Sequence, residues 1–428
     1  MKKFYYLKEK IILMLSILIV GSMISIHAQN GWEQLNPMSN PKAVARSCVI
    51  DMDIYVFGGY PDLVSTLNVA EVFNTSSNER TTLAPMPVDA YSQAVGFIND
   101  TAIILSGGWH YSATDPHWVT IDSTYLYNPE ADSWQAKKEC PKNHGGSASC
   151  VLEGKLYLFG GAKGTNDASG QDDALVYDPV TDTWDTIQEM SYGRYGATAN
   201  AYNGEIYIFG GSFFSDVDRS LVSKTERYDP GENTWTELPD LPVPVDNHLT
   251  VMYENKFYLF GGTSSFIGFS SGPSAQVVQE YDPLENQWQL MKDMPFQRSG
   301  MTGQIAGDTL YVMGGIETLG ESSSIVSEVW KFNLDSLEPA SSSGIPDMLI
   351  SDENFRIFPN PTDGPITIHS SGLAKYCVNI NSLNGKLLYS KKAEGSSYQF
   401  DISSLQKGVY LITIRSEESV TTRKIVKL

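Results

Sequence analysis

A pair of glycines recurs six times along this chain, each time at the end of an apolar stretch: Gly58-Gly59, Gly107-Gly108, Gly160-Gly161, Gly210-Gly211, Gly261-Gly262 and Gly314-Gly315. The steps between pairs are 49, 53, 50, 51 and 53 residues. A unit of that length cannot bury an apolar face alone, so successive copies must pack on one another as a solenoid or a propeller. The stretches that end in the pairs read IYVFGG, AIILSGG, LYLFGG, IYIFGG, FYLFGG and LYVMGG, β-branched and aromatic runs that suit strands. The glycines let the chain leave each strand with positive φ and let bulky groups approach the backbone.

A second signature follows the pairs. Four repeats carry Tyr, then Asp or Asn, then Pro, beginning at Tyr127, Tyr177, Tyr228 and Tyr281, with Trp134, Trp184, Trp235 and Trp288 seven residues after each Tyr. In the first repeat Phe73 and Arg80 take the Tyr and Trp positions, and the sixth has Phe332-Asn333 without a later Trp. A matching strand, WEQLNPM, begins instead at Trp32. The N-terminal strand is therefore expected to complete the sixth blade, closing the ring and removing a free sheet edge. Double glycine, spaced Tyr and Trp, and the regular period together resemble the Kelch repeat family over residues 32–335. The resemblance implies an all-β fold, a six-bladed Kelch β-propeller over residues 29–335. It implies no single function, because such propellers serve as scaffolds, binders and enzymes.

Residues 1–28 read as a signal peptide: Lys2, Lys3, Lys8 and Lys10 precede an apolar run from Ile11 to Ile26 that is short for a membrane span. No transmembrane span is then left in the mature protein. Residues 336–352 are rich in Ser, Pro and acidic residues and read as a linker. In residues 353–428 strands alternate with Asn-Gly, Asp-Gly and Lys-Gly turns, which predicts a small β-sandwich. Its ordered motifs are Pro359-Asn360-Pro361, Asn384-Gly385-Lys386, Gly408-Val409-Tyr410 and the basic end from Arg423 to Leu428. They resemble the type A sorting domain of the Bacteroidota type IX secretion system. That resemblance implies passage through the periplasm, recognition of residues 353–428 by the type IX secretion machinery, and a secreted or outer-membrane surface location.

The net charge of −20 is uneven: residues 1–29 and 351–428 carry +3 each, and residues 30–350 carry −26. So acidic a middle repels phosphate backbones and anionic lipid over about 8 Å, and nucleic acid is not expected as a partner. The sequence holds no His-Glu-x-x-His, no Cys-x-x-Cys and no phosphate loop, so no cofactor or metal is expected. Cys48, Cys140 and Cys150 stand at apolar positions of the repeat and read as buried thiols.

Sixteen residues before each glycine pair stand Lys42, Tyr91, His144, Arg194, Val245 and Arg298, followed at the next position by Ser92, Tyr195, Asp246 and Ser299 among others. Equivalent positions of a propeller converge on one mouth of its channel, which predicts a cationic ring suited to a carboxylate. The loops after the pairs belong to the same face and carry Trp109, His110, Tyr111 and Trp118, then Phe213 and Phe214, then Phe266 and Phe269. The candidate ligand-binding set is thus Lys42, Tyr91, His144, Arg194, Asp246, Arg298, Trp109 and Trp118, with an acidic glycan or peptide as ligand. Two alternatives stay open. One is a sialate mutarotase-like epimerase, in which arginines hold the carboxylate and His144 or Asp246 is the acid/base. The other is a protein-interaction scaffold with no small-ligand site.

Overall fold

The computed structural model describes residues 31–340 and 355–427, apart from residues 63, 100, 113–116, 164–169, 215–218, 265, 268–269 and 320–321 in the first part and 359–361, 363, 371–374, 383–386, 396 and 416–419 in the second. The expected signal peptide lies outside the described residues. The first part forms six four-stranded antiparallel sheets. Their first strands are Arg46–Ile50, Ala94–Ile98, Ala148–Leu152, Thr198–Tyr202, Leu249–Tyr253 and Thr302–Ala306. Each of these touches the first strands of both neighbours, so the six surround a common axis as blades 1 to 6. Blade 6 draws on both ends of the domain: Thr302–Ala306, Thr309–Met313 and Val329–Asn333 are joined by Trp32–Leu35, with Trp32 opposite Phe332. The N-terminal strand closes the ring, as its sequence led us to expect.

The glycine pairs are the joints of this ring. The first glycine of each pair has φ between +59° and +65°. A Cβ there would lie 2.1 to 2.6 Å from the carbonyl oxygen of Ala90, His144, Arg194, Val245, Arg298 or Lys42 on the next blade. The second glycine donates its N–H to that same carbonyl, from Gly59 to Ala90 at 3.0 Å round to Gly315 and Lys42 at 2.9 Å. No side chain fits between the blades at this point, and the hydrogen bond replaces it.

A second ring lies at the axis. Val44 donates to Gly300, Ser92 to Val44, Gly146 to Ser92, Gly196 to Gly146, Asn247 to Gly196 and Gly300 to Asn247, all backbone bonds of 2.7 to 3.1 Å. All six residues have φ between +49° and +72°. The cycle takes one residue from each blade and forms a neck. Cα atoms across such bonds stand about 5 Å apart, so opposite members of a hexagon of them stand about 10 Å apart. Val44 is β-branched and disfavours this backbone by about 1–3 kcal/mol; its bonds to both neighbours hold it there.

The Tyr/Trp signature fastens the rim. Tyr127, Tyr177, Tyr228 and Tyr281 donate to the side chains of Asp132, Asp182, Asn233 and Asn286. The indoles of Trp134, Trp184, Trp235 and Trp288 donate to carbonyls of the preceding blade, from Ala84, Lys138, Gln188 and Pro239. In blade 1 Arg80 performs both tasks of the missing Trp: it donates to the Asn36 carbonyl at 2.8 Å and lies 4.7 Å over the Phe73 ring. Past blade 6 the chain stays attached. Residues 336–340, assigned to the linker on composition, run along the edge of blade 5, where Pro339 pairs with Met291 and Ala340 donates to Leu290 at 3.0 Å.

The second part is the expected sandwich. Phe355–Phe358, Pro365–Ser370 and Ser397–Asp401 form one sheet, and Lys375–Ser382, Leu387–Glu394, Gly408–Arg415 and Val420–Lys427 form the other. Ile366, Ile368 and Phe400 of the first share a core with Val378, Ile380, Ile412 and Ile414 of the second. The motifs Pro359-Asn360-Pro361 and Asn384-Gly385-Lys386 lie outside the described residues.

Candidate functional site

The cations predicted to face one another across the mouth do not. Lys42, Arg194 and Arg298 are only 1 to 2% exposed. Lys42 Nζ lies 2.6 Å from Glu71, and Arg194 pairs with the equally buried Glu226. Arg298 lies 2.7 Å from Glu328. Both arginines also donate to carbonyls of their own blade, Arg194 to Gly210 and Lys224 and Arg298 to Gly314. Each pair ties the loop leading into a blade to that blade's third strand or its preceding residue. Burial pulls the Arg194 guanidinium down, and Glu226 opposes the shift. Burial pushes the Glu328 carboxyl up, but hydrogen bonds from Trp330 and Arg298 outweigh it and leave it below its usual range. A neighbouring carboxylate offsets the cost of burying each of these cations, so the charges are occupied. His144 is buried too, with Nδ1 3.1 Å from Ser147; burial drives its pKa down to about 4, so the imidazole is neutral.

Tyr91 is not the counterpart of Lys42. Between the first two strands of blade 2 lie residues 99–101, where blade 1 has only residues 51–52, so counting back from the glycine pair slips by one. Ala90 is the true counterpart, since its carbonyl receives Gly59 as that of Lys42 receives Gly315. Tyr91 aligns instead with Ala43, Gly145, Tyr195, Asp246 and Ser299. These six pair with the residue after each glycine pair: Tyr60, Trp109, Ala162, Ser212, Thr263 and Ile316. The two sets form the mouth, and the neck is its floor.

One side of the mouth is aromatic. The Trp118 ring lies 5.2 Å from Tyr91, 5.0 Å from Tyr111 and 6.3 Å from Tyr60, and Tyr60 lies 4.9 Å from Tyr91, all edge to face. All four rings remain partly exposed. Trp109, Tyr111 and Trp118 come from the hairpin Trp109–Ser112 and His117–Thr120. That hairpin is fixed by His110, 3.2 Å from the Asp89 carboxylate, and by Trp109, seated on Gly145, where a Cβ would come within 2.5 Å of the indole. Burial raises the Tyr60 hydroxyl to about 12, and burial, with Tyr60 and Tyr195 nearby, raises that of Tyr91 further. Both stay protonated donors. The other side is polar: buried Asp246 accepts from Ser212 at 2.8 Å, and Ser274 lies 3.0 Å from Ser299 and 3.2 Å from Thr318. Phe213 is 38% exposed on the blade 4 hairpin; the side chains of Phe214, Phe266 and Phe269 lie outside the described residues. Sequence reasoning missed Tyr60. Its signal was its place directly after a glycine pair, the same place as Trp109.

The cysteines are free, with Cys48, Cys140 and Cys150 buried. The carboxylates of Asp172, Asp173 and Glu189 approach within 4.8 Å of one another, but Asp173 is engaged by Lys142 and by Lys163 at 3.0 Å.

Sheet order, ring closure and glycine joints define a six-bladed β-propeller followed by a β-sandwich. The chain carries Kelch repeats in that propeller and ends in a secretion system C-terminal sorting domain. A KLHDC2/KLHL20/DRC7 Kelch-repeats domain matches residues 23–211, an Attractin/LZTR1 beta-propeller matches residues 165–336, and the secretion system C-terminal sorting domain matches residues 356–428. The sorting domain marks the protein for type IX export to the cell surface or the medium. Kelch-like protein terF of Aspergillus terreus is 26% identical over 288 residues, 66% of this chain and 51% of that protein. Kelch-like protein 7 of Rattus norvegicus is 43% identical over 194 residues, 45% of this chain and 32% of that protein. The chain thus spans about half the length, or less, of these curated relatives. The solved structure "Structure of YjhT" is similar in fold, with a TM-score of 0.59 and 14% identity, covering 71% of this chain and 99% of that one.

Proposed function

We propose that the mouth of this exported propeller binds a glycan. The aromatic side would stack on sugar faces. One observation carries this reading: four partly exposed rings, Tyr60, Tyr91, Tyr111 and Trp118, are fixed edge to face at the mouth. Rings held in place lose little freedom on binding. The acidity expected of the ligand has lost its basis, because Lys42, Arg194 and Arg298 already hold carboxylates. The epimerase reading loses the same arginines as its clamp, and its two acid/base candidates, His144 and Asp246, are buried.

The test is a glycan-array screen followed by titration of the best sugar. Trp118→Ala is expected to weaken binding by about 10-fold or more, as loss of one stacking ring should. Trp184→Ala, on the rim of blade 3, should leave affinity unchanged. Capture of a peptide with no glycan bound, or equal affinities for wild type and Trp118→Ala, would refute the proposal.

A further inference from the structure

Below the neck, the six first strands enclose a lumen whose charge is unlike the rest of the propeller. They read RSCVI, AVGFI, ASCVL, TANAY, LTVMY and TGQIA, without one carboxylate. Arg46 is their single charged residue, inside a stretch of net charge −26. Two residues before it, Val44 belongs to the neck, and the guanidinium reaches Ser92, another member of the neck. It is held by neutral groups: Nε donates to the Gln93 carbonyl at 3.0 Å and Nη2 to Ser92 Oγ at 2.9 Å. No ion pair joins it to a carboxylate among the described residues, unlike Lys42, Arg194 and Arg298. Burial without such a partner lowers its pKa to about 10. The residue as a whole is half-buried.

These contacts leave a specific edge open. Nε and Nη2 form one side of the guanidinium, and that side is taken by Gln93 and Ser92. The end formed by Nη1 and the second Nη2 hydrogen makes no protein contact among the described residues. Two parallel N–H groups there match the two oxygens of a carboxylate. Hydroxyls and amides line the surrounding strands, with Thr198 bonded to Thr250 and Gln304 to Ser47.

We propose that Arg46 is the anchor of a carboxylate-binding site in the lumen, beside the neck. It takes a small carboxylate, or the carboxylate end of a narrow ligand.

The probe is formate, titrated into the full chain at constant ionic strength with chloride as counter-salt. Binding is read by saturation-transfer NMR of 13C-formate and by the rise in unfolding temperature. Wild type should show saturable binding. Arg46→Met should lose it, and Arg46→Lys, which keeps the charge without the fork, should weaken it at least about 10-fold. Chloride should compete at least about 10-fold less well than acetate. Absence of saturable formate binding to wild type would overturn the proposal whether or not the variants fold. So would equal binding by Arg46→Met, or competition by chloride equal to that by acetate.

Discussion

Blade 4 and blade 2 make the same joint with opposite chemistry. In blade 4 the carbonyl that receives the glycine pair belongs to Arg194, whose guanidinium is buried against Glu226. In blade 2 it belongs to Ala90, which brings no polar side chain to satisfy. The backbone joint is therefore what the fold requires, and the charge is optional. Blades 1 and 6 follow blade 4, with Lys42–Glu71 and Arg298–Glu328; blade 3 uses neutral His144 and blade 5 uses Val245. A cation at this position signals a partner inside the blade before it signals a ligand outside.

That contrast can be broken, most severely at its charged end. Arg194→Ala leaves Glu226 buried and alone, and should destabilise the propeller by about 3–5 kcal/mol. Removing both charges, as Arg194→Met with Glu226→Leu, should recover most or all of that loss. Urea unfolding of the two variants measures the difference. An unrecovered loss in the double variant would mean that the charge is not optional.

Blade 3 offers a titratable version of the joint. The His144 pKa is about 4 in the fold and about 6.5 when unfolded. Between those values the unfolded chain binds the proton and the native one does not. The stability is therefore fully present above about pH 6.5, falls as pH drops through the window, and levels off below about pH 4. It amounts to about 3 kcal/mol. His248, lowered by burial to about 3, adds a slope of the same sign. His144→Gln should flatten unfolding free energy against pH by His144's share; an unchanged slope would show that His144 titrates normally.

The backbone joint itself is tested by Gly160→Ala. Its Cβ would meet the Arg194 carbonyl at 2.2 Å, from a residue at φ +65°. A loss of about 2 kcal/mol or more is expected by calorimetry. The smallest effect belongs to Arg80→Trp, which restores the usual rim residue where Arg80 now supplies the hydrogen bond and the ring contact. Stability should stay within about 1 kcal/mol of wild type.

What was legible in the sequence was whatever repeats in register. Glycine at six equivalent positions, Tyr and Trp at fixed spacing, and Trp32 standing in for the sixth Trp gave the blades and their closure, because each position has one backbone or packing task. The site was not legible in the same way. One extra residue between Ala94–Ile98 and Ala102–Ser106 moved Tyr91 out of the ring in which counting had put it. Glu71, Glu226 and Glu328 lie 29, 32 and 30 residues beyond their cations; the first two stand two residues before Phe73 and Tyr228, but Glu328 stands four before Phe332, so counting from the cations hides the partners. Nor does spacing show that Trp118 turns onto Tyr91 across a hairpin. Tyr91, Trp109 and Trp118 come together at the mouth, while Lys42, Arg194, Arg298 and His144 serve the blades.

The most direct test sets the two halves of the candidate set against each other. Affinity for the best array glycan is measured for wild type, for Trp118→Ala and for the Arg194→Met/Glu226→Leu variant, each checked for a native unfolding transition. The expected result is loss of binding in Trp118→Ala and wild-type affinity in the charge-free variant. Loss in the folded charge-free variant, with Trp118→Ala unaffected, would contradict the assignment and return the arginines to the ligand.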